Sequence, residues 1–155
     1  MTAPPDLPPR RRPVVRLDAR CACGGIGLTV AGEIRAMLLC SCLACQQMTG
    51  TGHATIALVA REAIGIDGAP KAFARAAESG AVLTRWFCPD CGTPLYAQSS
   101  RAPTLAMLPV GVFGAAGDWF APTQLIFARS HHDWDSLPAD LPRHDTYREE
   151  SSSNV

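Results

Sequence analysis

The 155-residue sequence predicts a mainly β protein of antiparallel sheets whose turns carry cysteine knuckles. Three observations lead there. Short apolar runs alternate in the manner of strands, and glycine and proline interrupt them at intervals too short for βαβ units. Seven cysteines fall in three tight clusters beside those runs: Cys21-Ala-Cys23, Cys40-Ser-Cys42-Leu-Ala-Cys45 and Cys88-Pro-Asp-Cys91.

In chain order, residues 1–14 are rich in proline and carry Arg10-Arg11-Arg12, which reads as a disordered tail. Residues 15–148 read as one zinc-binding domain, and residues 149–155 as a second unstructured tail. Within the domain Ile26, Leu28 and Val30 share one strand face. Ala36 to Cys40 forms the next strand candidate, and a short helix is expected after Cys42, through Cys45 and Met48. Gly50 and Gly52 end it; Ile56, Leu58 and Ala60 then share a face of another strand. A second helix is expected within Lys71 to Glu78. After Gly80, the run Leu83-Thr84-Arg85-Trp86-Phe87 leads into the third cysteine cluster. Pro94 to Ala97, Leu105 to Val112 and Gln124 to Ala128 supply the remaining strand candidates.

Charge narrows the function classes. The chain balances 14 basic against 14 acidic residues, and Lys71 is its only lysine, so no basic field draws nucleic acid or a membrane surface. Trp86, Trp119 and Trp134 read as core or rim aromatics, because a base-stacking platform needs basic residues around it and the chain has a single lysine. No window reaches the roughly 18 apolar residues of a membrane span, and residues 1–20 hold no signal-type apolar segment. The expectation is a cytoplasmic protein with reduced thiols.

Reduced thiols in clusters point to metal. A disulfide framework favours an even cysteine count and an oxidising compartment, and a bridge across Cys21-Ala-Cys23 would be strained. Seven divides into four and three: a structural zinc closes its tetrahedron with four protein ligands, and a catalytic zinc keeps three and leaves a position open. Cys88-Pro-Asp-Cys91-Gly92 is a strong knuckle signal, since the glycine permits the tight turn that aims amides at the sulfurs. Spacing alone allows two partitions. Cys42, Cys45, Cys88 and Cys91 form one zinc ribbon, or the two doublets join and leave the triplet separate.

The succession Cys21-x-Cys23-Gly24, then Cys40-x-Cys42-x-x-Cys45 with Thr49-Gly50, then Arg85-x-Phe87-Cys88-x-x-Cys91-Gly92-Thr93-Pro94-Leu95, resembles the glutathione-dependent formaldehyde-activating enzyme family, which includes centromere protein V relatives. Pro109-Val110-Gly111-Val112-Phe113 and His132-Asp133-Trp134 with Leu137-Pro138 extend the likeness, so that it runs from about Arg20 to Leu141. The resemblance implies a β-tent fold related to zinc ribbons and two zinc ions. It implies Cys21, Cys23, Cys88 and Cys91 as the structural set and Cys40, Cys42 and Cys45 as the catalytic set. It further implies a carbon-sulfur lyase resembling S-(hydroxymethyl)glutathione synthase, adding glutathione or another small thiol to formaldehyde or another small aldehyde. The family commonly carries a histidine between the first two cysteines of its central motif and basic residues after the third; here those places hold Ser41 and Gln46-Gln47.

Three thiolates make a zinc a weaker Lewis acid than three histidines do, which suits thiol addition better than hydrolysis of an unactivated bond. His53 is the candidate proton carrier and Arg85 the candidate anchor for a substrate carboxylate. His131-His132-Asp133 is a second candidate pocket lining. A zinc deaminase is excluded: Thr55 stands where its glutamate is required and Phe87 where a proline precedes the cysteine pair. A noncatalytic zinc-binding interaction module and a Cys42/Cys45 dithiol redox protein are the alternatives.

Overall fold

The computed structural model describes residues 12–148. The elements run β1 (Val14–Arg20), β2 (Gly27–Glu33), β3 (Ala36–Cys40), α1 (Leu43–Thr49), β4 (Ala54–Ala60), β5 (Ile64–Asp67), β6 (Lys71–Ala76), β7 (Val82–Phe87), β8 (Pro94–Ser99), β9 (Leu105–Pro109) and β10 (Leu125–Ile126). They build two sheets, one ordered β1-β2-β5 and one ordered β10-β3-β4-β9-β8-β7-β6. All pairings are antiparallel except β10 on β3. This is the mainly β, knuckle-bearing architecture that the sequence predicts. Among the described residues no helix is long and apolar enough to cross a membrane.

Period-two alternation places the core between the sheets. Val15, Leu28, Val30 and Ile64 from the small sheet meet Met37, Ala57, Val59, Leu95, Ala106 and Leu108 from the large one. Leu28, Leu95 and Leu108 are fully buried, each stabilising the fold by about 1.5–3 kcal/mol. Ile56, Leu58 and Ala60 do share a face of β4, but it is the half-buried one; Ala57 and Val59 point into the core. The opposite face of the large sheet therefore carries apolar side chains that a cavity, rather than the core, uses.

Two elements differ from expectation. Lys71 to Ala76 is an edge strand, paired with β7 from Lys71↔Phe87 to Ala76↔Val82, and not a helix. Alanine content suggests helix, but Lys71, Phe73 and Arg75 alternate with Ala72, Ala74 and Ala76 at period two, and so short an isolated helix is marginal. The strand expected over Leu105 to Val112 ends at Pro109, where the chain turns into 3-10 geometry through Gly117 with a kink at Gly114, φ +54°. β1 and β5 are strands beyond those the sequence pattern predicts. The expected tails fall outside the described residues at 1–11 and 149–155; at the amino-terminal end the Pro13 carbonyl accepts from the Ile34 amide at 2.8 Å and pairing begins at Val14↔Glu33.

Candidate metal centres

Two knuckles face each other at one end of the β1–β2 hairpin. In the first, Cys21 follows β1, its carbonyl accepts from the Gly24 amide at 2.9 Å, and the Ile26 amide donates to its sulfur at 3.2 Å. In the second, Cys88 follows β7, its carbonyl accepts from the Gly92 amide at 2.9 Å, and its own amide donates to the Thr93 carbonyl at 3.0 Å. Gly24 and Gly92 sit at φ +79° and +73°, a conformation a side chain would strain. The Ala22 amide donates to Thr93 Oγ1 at 3.0 Å and ties one knuckle to the other.

The result is a group of four sulfurs, from Cys21, Cys23, Cys88 and Cys91, all within 4.8 Å of one another. Cys21 and Cys23 approach to 3.5 Å and Cys23 and Cys88 to 3.7 Å. Sulfurs about 2.3 Å from a tetrahedral centre lie about 3.8 Å apart, so the spacing suits a four-thiolate metal site. Thr93 Oγ1 lies 3.2 Å from Cys91 Sγ, and this hydrogen bond holds the Cys91 thiol down to about 5.

Cys40, Cys42 and Cys45 make a separate group. Cys40 closes β3, Cys42 caps α1 with its sulfur accepting from the Cys45 amide at 3.4 Å, and Cys45 sits in the first turn. Cys40 and Cys45 are buried, Cys42 less so. Hydrogen bonds from the Cys40 and then the Cys45 side chain push Cys42 down to about 2, with Arg75 adding to the effect; Cys40 is correspondingly raised to about 12 by Cys42, and Cys45 is raised by both. Without metal the trio holds its negative charge mainly on Cys42. Three sulfurs leave a tetrahedral ion one position short among the described residues, and these soft donors fit a thiophilic ion.

This second group opens on a cavity of about 880 Å³ on the face of the large sheet turned away from the core. Register explains the wall: Arg85↔Ala97 and Ala97↔Met107 continue one row across β7, β8 and β9, while the Cys40↔Ala54 pair and Ile56 form its other end. His53 and Arg85, the two sequence candidates for catalysis, both line the cavity. Arg75 and Arg129 line it too, and sequence patterns did not single them out. Arg85 lies 5.0 Å over the Phe73 ring, and Arg129 is bound to Glu78 at 2.6 Å, so the lining is positive overall.

The His131-His132-Asp133 run does not line the cavity. His132 stacks on Trp134 with ring centroids 5.1 Å apart and bonds Gln46 Oε1 at 3.0 Å. Gln46 also donates to the carbonyls of Ser41 and Ser130, both at 2.8 Å, and so fastens α1 to the carboxy-terminal segment. Trp86 stacks on Tyr96 at 4.5 Å and Trp119 packs against Phe113 and Phe120, while Trp134 is exposed.

An antiparallel β protein with one four-cysteine group and one three-cysteine group beside a cavity defines a class of proteins whose clustered thiols could hold metal ions. The chain belongs to the glutathione-dependent formaldehyde-activating enzyme family, whose model matches residues 16–130. Among solved structures it is similar to a Rhodobacter sphaeroides protein, at 19% identity and a TM-score of 0.51, over 64% of this chain and 89% of that one; the likeness is one of fold. The comparison with curated proteins returns no match.

Proposed function

We propose that the protein is a zinc-dependent carbon-sulfur lyase that adds a glutathione-type thiol to formaldehyde or another small aldehyde. The observation that carries this reading is the junction of a three-sulfur group with a large cavity: Cys40, Cys42 and Cys45 line it together with Arg75, Arg85 and Arg129. Family membership supports it.

Cys21, Cys23, Cys88 and Cys91 hold a structural zinc, and Cys40, Cys42 and Cys45 hold a second. A zinc held there would supply a positive charge that favours the thiolate form of a substrate thiol. The protein's part is positioning and proton transfer, because formaldehyde adds thiols unaided. Arg85 receives a carboxylate of the thiol substrate, a geometry a guanidinium meets with two parallel hydrogen bonds. His53 takes the thiol proton. Gln46 and the Thr49 hydroxyl, which donates to the Cys45 carbonyl at 2.9 Å, keep α1 and its cysteines in place.

The test is exchange NMR on formaldehyde and glutathione at equilibrium with the zinc-loaded full chain. Faster exchange into S-hydroxymethylglutathione than in buffer, lost on Cys42→Ser, is expected; an unchanged exchange rate removes the reading and leaves a zinc-binding interaction module.

A further inference from the structure

His53 Nδ1 lies 2.7 Å from Asp135 Oδ2, on side chains 82 positions apart that are both mostly buried. A carboxylate only accepts, so in the neutral imidazole Nδ1 carries the proton and Nε2 keeps the lone pair, on a side chain that lines the cavity. Two further features serve this contact. A Cβ on Gly52 would fall 2.5 Å from Asp135 Oδ2, 2.6 Å from its Cγ and 2.7 Å from its Cβ, so the absence of a side chain beside His53 makes the space that Asp135 occupies. His131 Nε2 lies 3.3 Å from the same oxygen, off the line of a hydrogen bond, and has no other polar partner.

The His131 tautomer follows from its other side. Arg143 Nη1 lies 3.4 Å from His131 Nδ1, and a guanidinium only donates; Nδ1 is therefore the acceptor and the ring proton sits on Nε2, the nitrogen 3.3 Å from Asp135 Oδ2. Asp135 thus bonds the His53 N–H and has the His131 N–H, of the opposite tautomer, beside it but off line. Its turn is fixed by the Asp135 amide donating to the His132 carbonyl at 3.0 Å, and Gln46 ties that turn, through His132, to the helix that carries Cys45. The dyad and the three cysteines share one anchor.

We propose that Asp135 is a positioning residue that holds His53 as its Nδ1–H tautomer and so makes His53 Nε2 the proton acceptor for the incoming thiol, with Gly52 supplying the space. The proposal rests on the thiol-addition reading above. In the step, the S–H bond breaks and its proton passes to Nε2; the sulfur electron pair forms the C–S bond to the aldehyde carbon, and the carbonyl oxygen takes the proton back from Nε2–H. Thiol plus aldehyde give the hydroxyalkyl thioether with nothing left over.

The experiment is long-range 1H–15N NMR of the histidines in the zinc-loaded full chain, joined to steady-state kinetics. Wild type should show His53 as the Nδ1–H tautomer. Asp135→Asn should mix the tautomers and lower kcat about 10- to 100-fold, with the thiol KM within about twofold and zinc content unchanged. Gly52→Ala, which displaces Asp135 without changing its chemistry, should mix the tautomers as well. Adding Asp135→Asn to His53→Ala should cost nothing beyond His53→Ala alone. A wild-type His53 with its proton on Nε2, or an Asp135→Asn loss of the same size with or without His53, overturns the proposal. If wild type does not accelerate thiol addition, the functional reading fails while the tautomer measurement still decides whether Asp135 positions His53.

Discussion

Replacing Arg85 by alanine tests the cavity as a substrate site. Arg85 stands in the row Phe73–Arg85–Ala97–Met107 on the cavity face, with its guanidinium 5.0 Å above the Phe73 ring. The lost ring contact is worth about 0.5–1 kcal/mol at a partly exposed site, so the fold should survive. A charge-assisted hydrogen bond to a substrate carboxylate is worth about 1.5–3 kcal/mol, and about 1.4 kcal/mol is a factor of ten, so the KM for glutathione should rise about 10- to 150-fold. Lysine at this place should recover part of the loss, because it keeps the charge without the planar fork. The assay is initial rate against thiol concentration, run in parallel with glutathione and 2-mercaptoethanol, which has no carboxylate. A rise confined to glutathione is expected. An equal rise for both thiols, or for neither, refutes a carboxylate-binding role for Arg85.

Further outcomes follow from the cysteine geometry. Cys88→Ser should abolish cooperative thermal unfolding of the zinc-loaded chain, because a structural zinc contributes about 10–16 kcal/mol in small domains, comparable to the whole stability of a domain; an unchanged melting curve would show the fourfold group to be dispensable. Gly92→Ala should cost about 1–2 kcal/mol from backbone strain alone, since a Cβ there meets nothing within 4 Å, and Gly92→Asn should cost less, as read by denaturant unfolding. In metal-free protein the Cys40 and Cys45 side chains hold the Cys42 thiol far below the ordinary range, so its alkylation rate should stay nearly flat between about pH 5 and 8; an ordinary thiol, near 8.5, gains tenfold per unit there. Mass mapping after iodoacetamide should find Cys42 labelled before Cys40 and Cys45.

Local chemistry made much of this legible in sequence. The Cys–Gly knuckles declare themselves because a positive-φ turn after a ligand needs glycine, and β2, β3, β4 and β7 show in the period-two pattern of their apolar residues. The edge strand β6 reads as helix because alanine propensity outweighs a weak alternation on a strand with little to bury. Asp135 stays hidden for a different reason. Its contact with His53 spans 82 positions, and neither composition nor spacing encodes such a pairing; Gly52, singled out only as a turn glycine, marks it once the two segments are seen together. Asp133 draws attention beside the histidine pair, yet the acid that meets His53 is two residues on.

Catalysis as proposed depends on a metal held by three sulfurs with one position free for a thiol. Native mass spectrometry of the full chain, with and without glutathione, tests it most directly: two zinc ions per chain are predicted, with glutathione retained only by the two-zinc species. A single tightly held zinc and no glutathione adduct at any loading would contradict it.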